Sequence, residues 1–172
     1  MEDKLDIGLV ITGLIDDKTR GFNSNQNISI LINKYSHLFN NILITTWTDQ
    51  KKYLDANLLS EKIKVFTLTD PINSRDFTKK EIMYNDFRIN YQCYKSICQL
   101  NNKYILKIRS DMMIDLKSSV EHFFKEIERK KNLNIENYEN IICATSFRLD
   151  LPYGVGDLFF IGKNHILKDF FY

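Results

Sequence analysis

Proline and glycine are scarce in this chain, with two prolines and six glycines among 172 residues. That scarcity excludes collagen-like, low-complexity and linker-dominated architectures, and no internal period marks a repeat protein. Cysteine is scarce too. Cys93, Cys98 and Cys143 are odd in number, scattered and without a C-x-x-C pair, which argues against a disulfide framework or a thiolate metal site. They read as reduced, mostly buried thiols of a cytosolic protein. An excess of one charge is missing as well. The formal net charge is +2 and no Lys/Arg run stands out, so nothing points to nucleic acid or to a polybasic membrane patch. No apolar run is long enough to span a bilayer, and the charged start Met1-Glu2-Asp3-Lys4 is unlike a signal peptide. The usual phosphate loops, G-x-G-x-x-G and Walker A, are absent. What remains is an ordinary globular composition, 44% hydrophobic and 27% charged. The length fits one domain, residues 1–172, around one core.

The most informative stretch runs from Lys103 to Asp115. Tyr104, Ile105, Leu106 and Ile108 have the β-branched and aromatic character of a buried strand. Charge then arrives abruptly at Arg109 and Asp111. Ligands of open α/β sheets gather beyond the carboxyl ends of the strands, so this junction is the first candidate for chemistry. A carboxylate there suits a divalent metal on a phosphate-bearing substrate; a solvated salt-bridge patch is the alternative.

Before it, Asp6 to Gly13 reads as a central strand, apolar on nearly every residue. A long polar loop follows. Ser24 or Asn25 can cap a helix whose stripe is Ile28, Leu31, Ile32, Tyr35, Leu38 and Phe39. Asn41 to Trp47 is a second strand, Lys51 to Leu59 a short helix, and Ile63 to Thr69 a third strand ended by Asp70-Pro71. Trp47 either stacks on a base or sugar or is a core aromatic. A helix over about 79–100 carries Met83, Phe87, Tyr94, Ile97 and Cys98 on an expected buried stripe. Asn85, Arg88, Gln92 and Lys95 share a second face, which either reaches a sugar or phosphate or is solvated.

After the central stretch, Leu116 to Lys130 is amphipathic and Asn140 to Phe147 reads as a strand. Gly154 and Gly156 then deliver Asp157 ahead of another apolar strand, and Lys163 to Phe171 starts a helix. The aromatic end Phe170-Phe171-Tyr172 either docks on the core or is followed by more chain. His37, His122 and His165 lack ligand spacing. Alternating strands and helices predict an α/β fold, a mostly parallel sheet sandwiched by helices.

Several of these markers together resemble the WavE lipopolysaccharide synthesis family, whose members resemble glycosyltransferases of the nucleotide-diphospho-sugar (GT-A) fold. They are Thr12-Gly13 closing the first strand, Thr45-Thr46-Trp47 closing the second, Asp70-Pro71, and Asn90-Tyr91-Gln92, where the family tends to have Asn-Arg-Gln. The most specific is Tyr104-x-x-Lys107-x-Arg109-Ser110-Asp111, and the last is Gly156-Asp157-Leu158-Phe159-Phe160-Ile161-Gly162. Tyr91 and Leu158 depart from the family's arginine and tryptophan, with Arg88 placed to substitute for the former.

The resemblance implies transfer of a sugar from a nucleotide-sugar donor to a glycan or lipid-linked acceptor in surface polysaccharide synthesis. It implies donor binding by Thr12, Gly13, Thr46, Trp47, Arg88, Asn90, Gln92, Lys107 and Arg109. It also implies Mg²⁺ or Mn²⁺ on Asp111 and a general base at Asp157. In this chain Arg109 stands at the first position of the Asp-x-Asp motif, where a guanidinium can itself pair with phosphate. Asp115 is a candidate second ligand. The expected location is cytoplasmic, with peripheral association at the inner membrane face as a further expectation. Family members usually continue well past this length, so the resemblance implies that this chain lacks a C-terminal acceptor-side portion. A sugar nucleotidyltransferase and a non-catalytic nucleotide-binding or interaction domain stay open as alternatives.

Overall fold

The computed structural model describes residues 5–15, 23–71, 81–144, 147–148, 154–155 and 159–172. Strand β1 (Ile7–Thr12) leads to helix α1 (Ser24–Tyr35), β2 (Asn41–Trp47) and β3 (Ile63–Leu68). Helix α2 (Glu81–Ile97), β4 (Tyr104–Arg109) and α3 (Leu116–Asn132) follow. The last part holds β5 (Ile142–Ala144), β6 (Phe147–Arg148), β7 (Gly154–Val155), β8 (Phe159–Lys163) and α4 (Asn164–Phe171).

Six strands form one sheet in the order β3-β2-β1-β4-β8-β5, with β6 and β7 pairing as a separate ribbon. β3, β2, β1 and β4 are mutually parallel. β8 runs antiparallel between β4 and β5. The expected mostly parallel α/β sheet is therefore what the chain forms.

Alternation along the strands splits the core in two. Leu9, Ile11, Ile44, Leu106 and Ile108 face α1 and α3, meeting Ile28, Leu31, Val120 and Phe123. Val10, Leu43, Ile105 and Phe160 face α2 and α4, meeting Cys93, Ile97 and Leu167. Cover on both faces is why these strands read as continuous apolar runs. Tyr104, Phe123 and Phe124 meet edge to face at centroid separations of 5.0–5.8 Å, the geometry that the ring quadrupoles favour. At the chain end, Phe171 packs on Phe160 with centroids 4.7 Å apart.

Four local expectations are corrected. Asn23, not Ser24 or Asn25, caps α1, its side chain accepting from the Gln26 N–H at 2.7 Å. Asn25 instead donates to the Tyr53 carbonyl at 2.6 Å and accepts from the Asp55 N–H at 3.1 Å. Those tertiary bonds take backbone groups that a helix over 51–59 would need, and two 3₁₀ turns (Thr48–Tyr53 and Ala56–Leu58) stand there instead. The strand expected over 140–147 starts at Ile142 rather than Asn140, its described part in the main sheet is Ile142–Ala144, and Phe147 belongs to the separate ribbon.

The fourth correction concerns α2, which is rotated from its expected orientation. Ile97 is buried as expected, but it is joined by Gln92, Cys93 and Ser96, whereas Phe87 is 54% exposed and Cys98 is exposed. Phe87 and Tyr91 stack on each other instead, with centroids 6.2 Å apart. The side chains of Met83 and Asn85 lie outside the described residues.

Candidate functional site

The sheet order reverses between β1 and β4. From β1 the chain moves outward to β2 and β3, and from β4 it moves to the other side. Such a switch point opens a crevice at the carboxyl ends of the two strands, where open α/β sheets bind ligands. Here the strands end in Thr12-Gly13 and Arg109-Ser110-Asp111.

Two bonds tie these ends together, and a third holds the Gly13 turn to β2. The Ser110 N–H donates to the Thr12 carbonyl at 2.8 Å, and the Ser110 hydroxyl donates to the Leu14 carbonyl at 2.8 Å. The Thr46 hydroxyl donates to the Gly13 carbonyl at 3.1 Å. Gly13 has φ +132°, and a Cβ there would lie 2.6 Å from the Ser110 hydroxyl. Only glycine fits both that backbone and that approach.

Register sorts the remaining side chains by face. Phe66, Thr45, Thr12 and Arg109 are neighbours in one row across the sheet. The row two residues back contains Leu43, Val10, Lys107 and Phe160. Leu43, Val10 and Phe160 belong to the core under α2 and α4, so Lys107, Thr12, Thr45 and Arg109 share that face. Lys107 is fully buried, its ammonium 5.5 Å from the centre of the Phe160 ring.

From above, α2 adds two expected residues. The Gln92 amide donates to the Thr45 carbonyl at 3.2 Å. The Arg88 guanidinium lies 5.5 Å from the Trp47 ring centre and pairs with Asp70 at the end of β3. Trp47 is only 7% exposed, a core aromatic capped by that guanidinium. The Thr45 hydroxyl and the Arg88 Nε are buried without a hydrogen-bond partner among the described residues.

The structure thus gathers Thr12, Gly13, Thr46, Trp47, Arg88, Gln92, Lys107, Arg109 and Asp111 around one end of the sheet. Asn90 is not among them; it is exposed on α2, out of phase with the inward positions 88 and 92. Asp157 lies outside the described residues. Phe159, where β8 begins, pairs with Ile108 beside the crevice. Asp70 and Thr45 were not singled out as site residues by the sequence reading. Asp70 carried the usable signal, a carboxylate directly after a strand, as at Asp111.

The fit of a metal to these residues can be judged from the donors. Arg109 Nε donates to one oxygen of Asp111 at 2.9 Å, and Nη2 donates to the other at 2.5 Å. Both side chains are about a quarter exposed. Asp115, the candidate second ligand, is instead the N-cap of α3. It accepts from the Lys117 and Ser118 N–H groups, the Ser118 hydroxyl and the Tyr35 hydroxyl. The Ser118 hydroxyl and N–H hold its carboxyl below the ordinary value. Among the described residues no three His, Cys, Asp or Glu side chains converge on one point. A hard cation takes about six oxygens, and the described donors do not form such a set.

No protein-family model matches the chain, and no curated protein matches it, so the likeness to the WavE family stays a resemblance. Solved structures do match. One is the 4-diphosphocytidyl-2C-methyl-D-erythritol synthase from Anaerococcus prevotii, with TM-score 0.52 and 10% identity over 98% of this chain and 74% of that one. Another is a CMP:2-keto-3-deoxy-manno-octonic acid synthetase complexed with CTP, with TM-score 0.52 and 9% identity over 96% of this chain and 77% of that one. At such identities the likeness is one of fold. The chain has a mostly parallel sheet between helices, the fold it shares with these two structures.

Proposed function

We propose that this chain is a transferase acting on a nucleotide-activated sugar, with the nucleotide held in the crevice between β1 and β4. The observation that carries the reading is that crevice. A topological switch point has Thr12, Lys107 and Arg109 on one face and a glycine turn at its rim. In this reading Thr12 and Gly13 line the nucleotide, and Thr46 holds the turn. Arg88, Trp47 and Gln92 form one wall, while Lys107 and Arg109 supply charge to the phosphates.

The first reading is glycosyl transfer to a glycan or lipid-linked acceptor of a surface polysaccharide. The acceptor hydroxyl attacks the anomeric carbon, the bond from that carbon to the diphosphate oxygen breaks, and Asp157 takes the hydroxyl proton. The whole chain acts as one domain, and association with the inner membrane face brings it to its acceptor. Among the described residues no helix is long and apolar enough to cross a membrane.

A second reading is sugar nucleotidyl transfer. It gains from the similar synthetase solved with CTP. Here a sugar phosphate or hydroxyl attacks the α-phosphorus of a nucleoside triphosphate and pyrophosphate leaves.

A thermal-shift panel of UDP, GDP, CDP, CTP and their sugars tests the shared step, because a ligand bound only by the native state raises the midpoint. A selective rise for one nucleotide is expected. The leaving group then separates the two readings: nucleoside diphosphate released from a nucleotide sugar means glycosyl transfer, and pyrophosphate means nucleotidyl transfer. No rise with any nucleotide, from folded protein, leaves a non-catalytic interaction domain.

A further inference from the structure

We infer that the nucleotide's phosphates are held by Arg109, positioned by Asp111, and that this binding needs no divalent cation. The inference rests on the nucleotide reading above and specifies its chemistry. Both oxygens of Asp111 accept from one guanidinium, Nε at 2.9 Å and Nη2 at 2.5 Å. A metal on Asp111 would compete with both charge-assisted bonds and bring a second cation against the guanidinium, and the nearest other carboxylate on this strand-to-helix segment, Asp115, is committed to the α3 N-terminus. The side-on pair does something else well. It fixes the plane of the guanidinium, so that less rotamer freedom is lost when a second anion binds.

Arg109 is also in the right place. It is the register partner of Thr12 at the mouth of the crevice, and buried Lys107 lies two residues behind it on the same face. Among the described residues, Arg88, Lys107 and Arg109 stand on this side of the sheet with Asp70 and Asp111. A diphosphate entering here meets a fixed guanidinium backed by a buried ammonium, the neutralisation that a metal otherwise supplies. Asp111 is a positioning residue in this scheme, not a ligand.

The test is nucleotide binding by calorimetry in excess EDTA and again in Mn²⁺, using the best nucleotide from the panel above. Wild-type protein is expected to bind about equally well in both. Arg109→Gln should weaken binding about ten- to a hundredfold, the loss of hydrogen bonds to a charged group. Arg109→Lys, which keeps the charge without the fork, should recover part of that loss. Asp111→Asn should still bind in EDTA. Unliganded melting curves confirm that each variant is folded. Binding that appears only with Mn²⁺ and vanishes in Asp111→Asn overturns the inference and makes Asp111 a metal ligand, with the nucleotide reading intact. Absence of binding in both conditions overturns the nucleotide reading itself, and this inference with it.

Discussion

At the scale of single residues, three aspartates that look alike in the sequence have different work. Asp70 and Asp111 each follow a parallel strand and each pairs with an arginine, Arg88 and Arg109 respectively. Asp115, only four residues beyond Asp111, caps α3 and ties it to α1 through the Tyr35 hydroxyl at 3.1 Å. That tie has a pH signature. The Asp115 carboxyl is held below its ordinary value of about 3.8 by the Ser118 hydroxyl and N–H. Its stabilisation is therefore full above that value and is lost as pH falls through the lower, folded-state value. Asp115→Asn should unfold at lower denaturant than wild type at pH 7, and the gap should close as pH falls below the ordinary carboxylate value. A gap unchanged at low pH would show that the charge is not what the cap uses. Gly13 makes the complementary point, for its φ of +132° and the Ser110 hydroxyl 2.6 Å from where a Cβ would stand both require that it have no side chain.

At the scale of elements, α2 is the instructive case. Its apolar residues permit two orientations, and the expected stripe put Phe87 and Cys98 inward together with Ile97. The chain buries Cys93 and Ile97 with Gln92 and Ser96. The inward amide is tolerated because the row of the sheet beneath it is polar at Thr45 and Thr12, and Gln92 donates to the Thr45 carbonyl. Ile97→Ala should cost about 2–5 kcal/mol in urea unfolding. Phe87→Ser should stay within about 0.5 kcal/mol of wild type, the range of surface changes. Equal losses from the two would place α2 in the other orientation.

At the scale of the whole molecule, two helical layers pack on one sheet, and the crevice lies where β1 and β4 diverge. Trp47, the chain's one tryptophan, closes β2 at that end beneath Arg88. It reports on the crevice, whereas far-UV circular dichroism reports on every helix. If residues 1–172 fold as one domain, both probes should give the same denaturation midpoint and slope. Separate midpoints would mean that the crevice end unfolds apart from the rest.

Much of the fold was legible in the sequence alone. Apolar runs at Ile7–Thr12, Asn41–Trp47, Ile63–Leu68 and Tyr104–Arg109 identify buried parallel strands, because only a sheet covered on both faces needs them. Alternating helices imply the sandwich, and the arrival of charge at Arg109 and Asp111 marks the end of the sheet where ligands gather. Periodicity could not orient α2, since a helix with apolar residues on several sides is settled by what the sheet presents to it. Nor could it separate Asp111 from Asp115, whose difference lies in partners far along the chain, such as Tyr35. The strand order that puts β4 beside β1, and so sets Arg109 against Thr12, comes from non-local pairing that no local pattern encodes. Only the tertiary structure decided that Arg109 and Asp111 are a pair rather than two separate functions.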